Sequence, residues 1–318
     1  MGIENLYPNG ANTVANEITF SALSSAGGRI SAVLSALVAE QLYDPTDLRA
    51  TMTRYDWNAW GSSAMDITQN AVPGAFAAAS SETSGGASNS AYTTSKFTLT
   101  VARYLRIYQV TDLFGVSGGP IDVNTVVQNL VDGVALTMTD LVTALYSSIV
   151  TNVEETGVDL NVAKIYEAMF SLNNNNATPS TCVLHPVQMS DFIDSLRAET
   201  GSMQYQASTA SMLRVKGPGY QGTWNGIDFY QSDSVTTVNG GLDRCGAMTA
   251  DGCFAYTLAP IAALQGQIPA DNILIDTGDL LVEASRDSAN GLTSAVANLY
   301  PAVVEAEDLR GCGIVSDA

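Results

Sequence analysis

The chain has 318 residues, of which only 14% are charged, and its 32 acidic against 13 basic side chains leave a net charge of −19. That balance excludes a nucleic-acid reader, because phosphate contacts need clustered Lys and Arg, and no apolar run approaches the roughly 18 to 20 residues of a membrane-spanning helix. With so few charges the surface must be covered by Ser, Thr, Asn, Gly and Ala, which suits faces that neighbouring molecules will cover.

Residues 1–20 are polar and Asn-rich and read as an arm. The opening "MGIENLYPNG" lacks the basic and apolar regions of a signal peptide, and Leu6 stands where a myristoylation signal needs Ser or Thr. The expectation is a soluble protein made in a cytoplasm. After Gly27-Gly28, the spacing of Ile30, Val33, Leu34, Leu37 and Val38 predicts an amphipathic helix.

"TMTRYDWNAWG" from Thr51 is aromatic and strand-like. Tyr55, Trp57 and Trp60 suit a packed aromatic strand better than a sugar-stacking platform. A long stretch of small residues follows, and then "KFTLTVARYLRIYQV" predicts one strand with Phe97, Leu99, Val101, Leu105 and Ile107 on a single face. The two strands and the Gly/Ser-rich excursion between them read as an extended hairpin. A loop of that length is uncommon unless it is functional or disordered.

From Val123 to Ile149, apolar residues recur every three or four positions. They predict a helix of about thirty residues, a rod of ~45 Å, with Asp122 as N-cap, Pro120 just outside and Gly133 permitting a close crossing. The second half mixes elements. "DLNVAKIYEAMFSL" is a helix ended by Asn173 to Asn176, "STCVLHP" a buried strand stopped by Pro186, and "VQMSDFIDSLRAE" a helix with Met189, Phe192, Ile193 and Leu196 on one face. "TWNGIDFYQSDSV" carries the Asn225-Gly226 hairpin signal. "CFAYTLAPIAAL" and "NILIDTGDLLVEASRD" add further strands. Strands and helices without regular alternation indicate an α+β class.

Motifs for chemistry do not hold up. "NILIDTGDLLV" contains the Asp-Thr-Gly of aspartic proteases at Asp276, but the chemistry needs two carboxylates sharing a proton and the chain offers one copy. A turn between "ILI" and "LLV" is the better reading. Gly217, Gly219 and Gly222 match a dinucleotide fingerprint, but a strand and hairpin follow where a helix is required. His185, the only histidine, ends an apolar strand before Pro186, with no nucleophile turn elsewhere. Cys182, Cys245, Cys253 and Cys312 form no Cys-x-x-Cys pair, so zinc is disfavoured and free buried thiols are expected. Glu305, Glu307 and Asp308, like "NVEETGVD", read as a solvated acidic face. No catalytic residue, metal ligand or cofactor site is expected, and the chain does not read as an enzyme.

The order of elements carries a resemblance. "YLRIYQVTDLFGVSGGPIDVNTVVQNLVDGVALTMTDLVTAL" resembles the strand leading into the spine helix of tailed-bacteriophage major capsid proteins, whose fold also occurs in encapsulins and the floor of herpesvirus capsids. "AKIYEAMFSLNNNNATPSTCVLHPVQMSDFIDSLRAETG" is similar to the opening of their axial domain, and "GTWNGIDFYQSDSV" to the hairpin ahead of its final strands. The resemblance covers nearly the whole chain. It implies an N-terminal arm and amphipathic helix over 1–50, an extended loop hairpin over 51–98, a peripheral-domain strand and spine helix over 99–156, an axial domain over 157–270, and peripheral terminal strands over 271–318.

What the family does is then the expectation. Copies of the chain would form pentamers and hexamers that tile an icosahedral shell around double-stranded phage DNA, in a virion assembled in the host cytoplasm. The acidic inner surface would keep the DNA from adhering. The implied partners are further copies of itself, a scaffolding protein and a portal, with a decoration protein left open. Trp57, Trp60, Val72, Phe76 and Lys96 are the candidate inter-subunit contacts. Only about 50 residues precede the extended loop, unlike members with a long N-terminal scaffolding segment. Some members cross-link Lys to Asn between subunits. Lys96 is the candidate lysine here, and no asparagine partner can be assigned. An encapsulin-like cellular nanocompartment is the nearest alternative, with a surface sugar-binding protein and an aspartic hydrolase further off.

Overall fold

The computed structural model describes residues 48–58, 62–70, 94–111, 123–154, 156–198, 205–216, 219–259, 273–276 and 280–317. The expected arm and first helix, and the interior of the extended loop, lie outside these residues. In chain order the elements are β1 (Thr53–Arg54), β2 (Ala64–Asn70), β3 (Thr94–Thr100), β4 (Tyr104–Thr111), α1 (Val123–Thr143), β5 (Asn152–Glu154), α2 (Val162–Asn174), β6 (Pro179–Leu184) and α3 (Pro186–Ala198). There follow β7 (Gln206–Ala207), α4 (Ala210–Lys216), β8 (Tyr220–Trp224), β9 (Ile227–Gln231), β10 (Thr237–Val238), β11 (Asp243–Ala250) and β12 (Phe254–Leu258). The chain finishes with β13 (Ile273–Asp276), β14 (Leu280–Asp287), β15 (Leu292–Leu299), β16 (Pro301–Glu305) and β17 (Gly311–Asp317).

The largest sheet runs β5-β17-β11-β6-β9-β8-β7, with β10 added on β11. Its centre is covered on both faces, and β6, β11 and β17 are buried along most of their lengths. On one face α2 and α3 cover it through Ile165, Ala168, Leu172, Met189, Phe192 and Leu196. Phe192 stacks on Phe229 there, with ring centroids 4.9 Å apart. The other face meets α1 and the strands beneath it through Val183, Cys245 and Ala247, which share a core with Val134, Met138, Val142, Tyr146 and Ile149.

Local chemistry accounts for the element ends. Asn161 caps α2 by accepting from the Lys164 N–H at 3.1 Å, and Asn176 beyond its other end takes a left-handed φ of 56°. At β8–β9 the two-residue turn has Asn225 at φ 51° and Gly226 at φ 81°, as a primed hairpin turn requires. His185-Pro186-Val187-Gln188 starts α3 as a capping box with His in the Ser/Thr position. The Val187 N–H donates to His185 Nδ1 (3.3 Å), and the His185 N–H donates to Gln188 Oε1 (3.1 Å).

Three expectations are corrected. The single strand expected over 96–110 is two strands in different sheets: β3 pairs with β2, whereas β4 pairs with β15. The break falls where Val101 N–H donates to Ser63 O and Ala102 N–H to Pro301 O. Phe97 and Leu99 are therefore buried, whereas Leu105 and Ile107 are 52% and 49% exposed. Helix α1 spans 21 residues, ~32 Å at the usual rise, not thirty. The apolar rhythm continues because a 3-10 turn at Tyr146–Ser148 keeps Tyr146 and Ile149 inward. The terminal strands, finally, do not stay together. Strands β13, β14 and β15 form a sheet with β4, β16 pairs β12, and β17 enters the large sheet between β11 and β5. All but the last residue of β17 are buried, which only the large sheet provides.

Candidate functional site

The base of the extended hairpin is the best-defined candidate surface. Strands β2 and β3 pair in register from Ala64↔Thr100 to Asn70↔Thr94. Their alternation turns Met65, Phe97 and Leu99 onto Ala255 and Ala302, while Asp66, Lys96 and Thr98 face solvent. Trp57 is half-buried against this cluster, and Tyr55 meets Phe97 edge-on with centroids 5.7 Å apart. Tyr55 and Trp57 thus pack as expected of an aromatic strand, although among the described residues of the segment Thr53–Arg54 alone pair as a strand. Trp60, Val72 and Phe76 lie outside the described residues.

Lys96 Nζ sits 3.1 Å from the Asp66 carboxylate, which also accepts from the Thr98 hydroxyl at 2.6 Å. The Thr98 hydrogen bond, then Lys96, hold the Asp66 carboxyl below the usual carboxylate range. The Lys96 ammonium is thereby paired within its own hairpin, whereas an amine nucleophile would have to be neutral and unpaired.

The remaining motifs resolve structurally. Strands β13 and β14 are antiparallel, with Asp276 opposite Leu281, so the chain reverses directly after Asp276. Residues 277–279 lie outside the described region. Gly222 is inside β8, where an added Cβ would strike the Gln206 carbonyl oxygen, so the glycine serves the close approach of β7 and no phosphate loop. Gly217 is not among the described residues. His185 caps α3, and burial, then Arg244, lower its pKa, which keeps Nδ1 free to accept. All four cysteines are free and buried. Burial pushes the thiols of Cys245 and Cys312 up to about 11, far from a reactive thiolate. Among the described residues no group of three His, Cys, Asp or Glu side chains is placed to hold a metal ion, and no helix is long and apolar enough to cross a membrane.

The acidic segment Glu305–Asp308 is the other correction. It is not a solvated face, since Glu305 Oε1 is buried without a hydrogen-bond partner and Oε2 accepts from the Ser148 hydroxyl at 3.1 Å. Its sequence offers no sign of this, because the burial comes from the 3-10 turn after α1, over 150 residues earlier.

The layers, the long helix over the β14–β15 sheet, and the paired β2 and β3 define the fold of phage major capsid proteins. Solved structures bear this out across nearly the full length. The chain is similar to one in the capsid of the cyanophage P-SCSP1u (9% identity, 84% of this chain and 87% of that one, TM-score 0.56). It is similar to one in the head of the Helicobacter pylori bacteriophage KHP40 (10% identity, 87% and 91%, TM-score 0.59). It also matches the holo-SrpI encapsulin complex from Synechococcus elongatus PCC 7942 (12% identity, 86% and 87%, TM-score 0.55). No family model matches the chain, and no curated protein matches it in sequence. At these identities the likeness is one of fold.

Proposed function

We propose that this chain is a structural protein that self-assembles as pentamers and hexamers into an icosahedral shell enclosing phage double-stranded DNA. The observation that carries the reading is the extent of the fold match, which spans 84% and 87% of the chain against the two phage shells. A net charge of −19 supports it, since a strongly acidic container wall repels the polyanion it holds. On this reading the chain is not an enzyme, and it works in the virion after assembly in the host cytoplasm. Its partners are further copies of itself, a scaffolding protein and a portal. The β2–β3 hairpin with Trp57, Lys96 and the intervening Val72 and Phe76, together with Trp60, reaches the adjacent subunit.

Electron microscopy of the purified chain, alone and co-expressed with its neighbouring genes, tests this. Closed shells or capsomers are the expected outcome, with the more uniform shells from co-expression. A strictly monomeric protein under both conditions overturns the proposal. The encapsulin match keeps a nanocompartment as the second reading, and the contents of the native particle discriminate, DNA for a capsid and protein cargo for a compartment.

A further inference from the structure

Glu305 closes β16 and faces Asp308 across the turn that leads into β17, their carboxyls within hydrogen-bonding reach of each other. Both acids hold the segment that follows α1. Glu305 Oε2 accepts from the Ser148 hydroxyl at 3.1 Å, and Asp308 Oδ1 accepts from the Val150 N–H at 2.8 Å. Glu305 Oε1 is buried with no partner. The other groups around the pair do not neutralise it. On the turn, Arg310 is taken by Glu307 at 2.6 Å and by the Asp251 carbonyl at 2.7 Å. At the start of the neighbouring strand lies the buried Cys253, whose thiol burial holds protonated.

Two carboxyls in contact cannot both ionise cheaply, and a buried carboxyl oxygen without a donor is costly unless it becomes a donor itself. We propose that Glu305 and Asp308 share one proton and form a pH-released clasp between the end of α1 and the lead-in to β17. Burial, and then Asp308, raise the Glu305 carboxyl to about 7 from an ordinary 4.5. The folded state therefore holds this proton more tightly than the unfolded chain. The clasp's stabilisation is complete below about pH 4.5 and is lost as pH rises through about 7. His185, the only histidine, has a lowered pKa and gives a slope of opposite sign, so a paired variant is needed to isolate the clasp.

Thermal unfolding of the full-length chain and of Glu305→Gln, from about pH 5 to pH 9, provides that comparison. Gln cannot ionise, and its amide donates where the shared proton would. The expected result is a wild-type Tm that falls by several degrees relative to the variant as pH passes neutrality. Parallel Tm profiles across the whole range overturn the clasp. Should the variant fail to fold, infrared spectroscopy of the wild type decides. A protonated-carboxyl band that titrates away near neutral pH supports the proposal, and no such band at mildly acidic pH overturns it.

Discussion

Gln188, wholly buried at the start of α3, donates a 2.9 Å hydrogen bond to the hydroxyl of Ser316, 128 residues further along the chain. The same amide nitrogen reaches the carbonyls of Arg244 (3.0 Å) and Ile314 (3.3 Å), so one side chain ties α3 to both β11 and β17.

Gln188→Leu keeps the volume and removes every one of these bonds. It takes the partner of the His185 N–H and of the Ser316 hydroxyl away, and orphaned buried groups cost about 1–3 kcal/mol each, with partial relaxation. The expected loss is ~2–4 kcal/mol in denaturant unfolding. A change below about 0.5 kcal/mol would mean that the network contributes nothing.

Gly246 in β11 has no room for a side chain. A Cβ there would lie 2.7 Å from the Val183 carbonyl oxygen and 3.1 Å from Gln188 Oε1. Because the nearest obstacle is backbone, Gly246→Ala should cost ~1–3 kcal/mol, read as a lowered unfolding midpoint at unchanged m-value.

Leu99 and Leu105 test the split of the expected long strand. Leu99 is fully buried, whereas Leu105 is 52% exposed. Leu99→Ala should cost ~2–5 kcal/mol, and Leu105→Ala less than about 1 kcal/mol. Equal costs would put the two residues back on one buried face.

The proposed shell function makes assembly sensitive to salt. Subunits carrying −19 repel one another across a Debye length of ~8–10 Å at moderate ionic strength. Light scattering should show assembly favoured as salt rises, and a flat or inverse response would mean that specific interface ion pairs dominate.

Sequence made the short-range features legible. The Asn225-Gly226 turn, the α2 cap at Asn161 and the proline that opens α3 each act within four residues, so their chemistry is visible in one window. Misreadings fell where a distant partner decides. Alternation through Phe97, Leu99, Leu105 and Ile107 is continuous in sequence, but Ser63 and Pro301 determine where the strand breaks. The segment Gly311–Asp317 looks like any terminal strand, and its place between β5 and β11 depends on residues such as Asn152, far back in the chain. At the candidate surface, Trp57 and Lys96 lie near the hairpin base, and the Lys96–Asp66 pairing emerges only from the β2–β3 register.

The position of β17 has a consequence for synthesis. Among the described residues strand β5 has no other neighbour in the large sheet, and its pairing there waits until residues 311–317 have left the ribosome. Closure over so long a separation is slow, and edges left open meanwhile are adhesive. A nascent or truncated chain would lack the strand that joins β5 to β11, and with it the Gln188 bonds to Ile314 and Ser316. Completion of the sheet then works as a quality gate, because only a chain translated through β17 can close the large sheet.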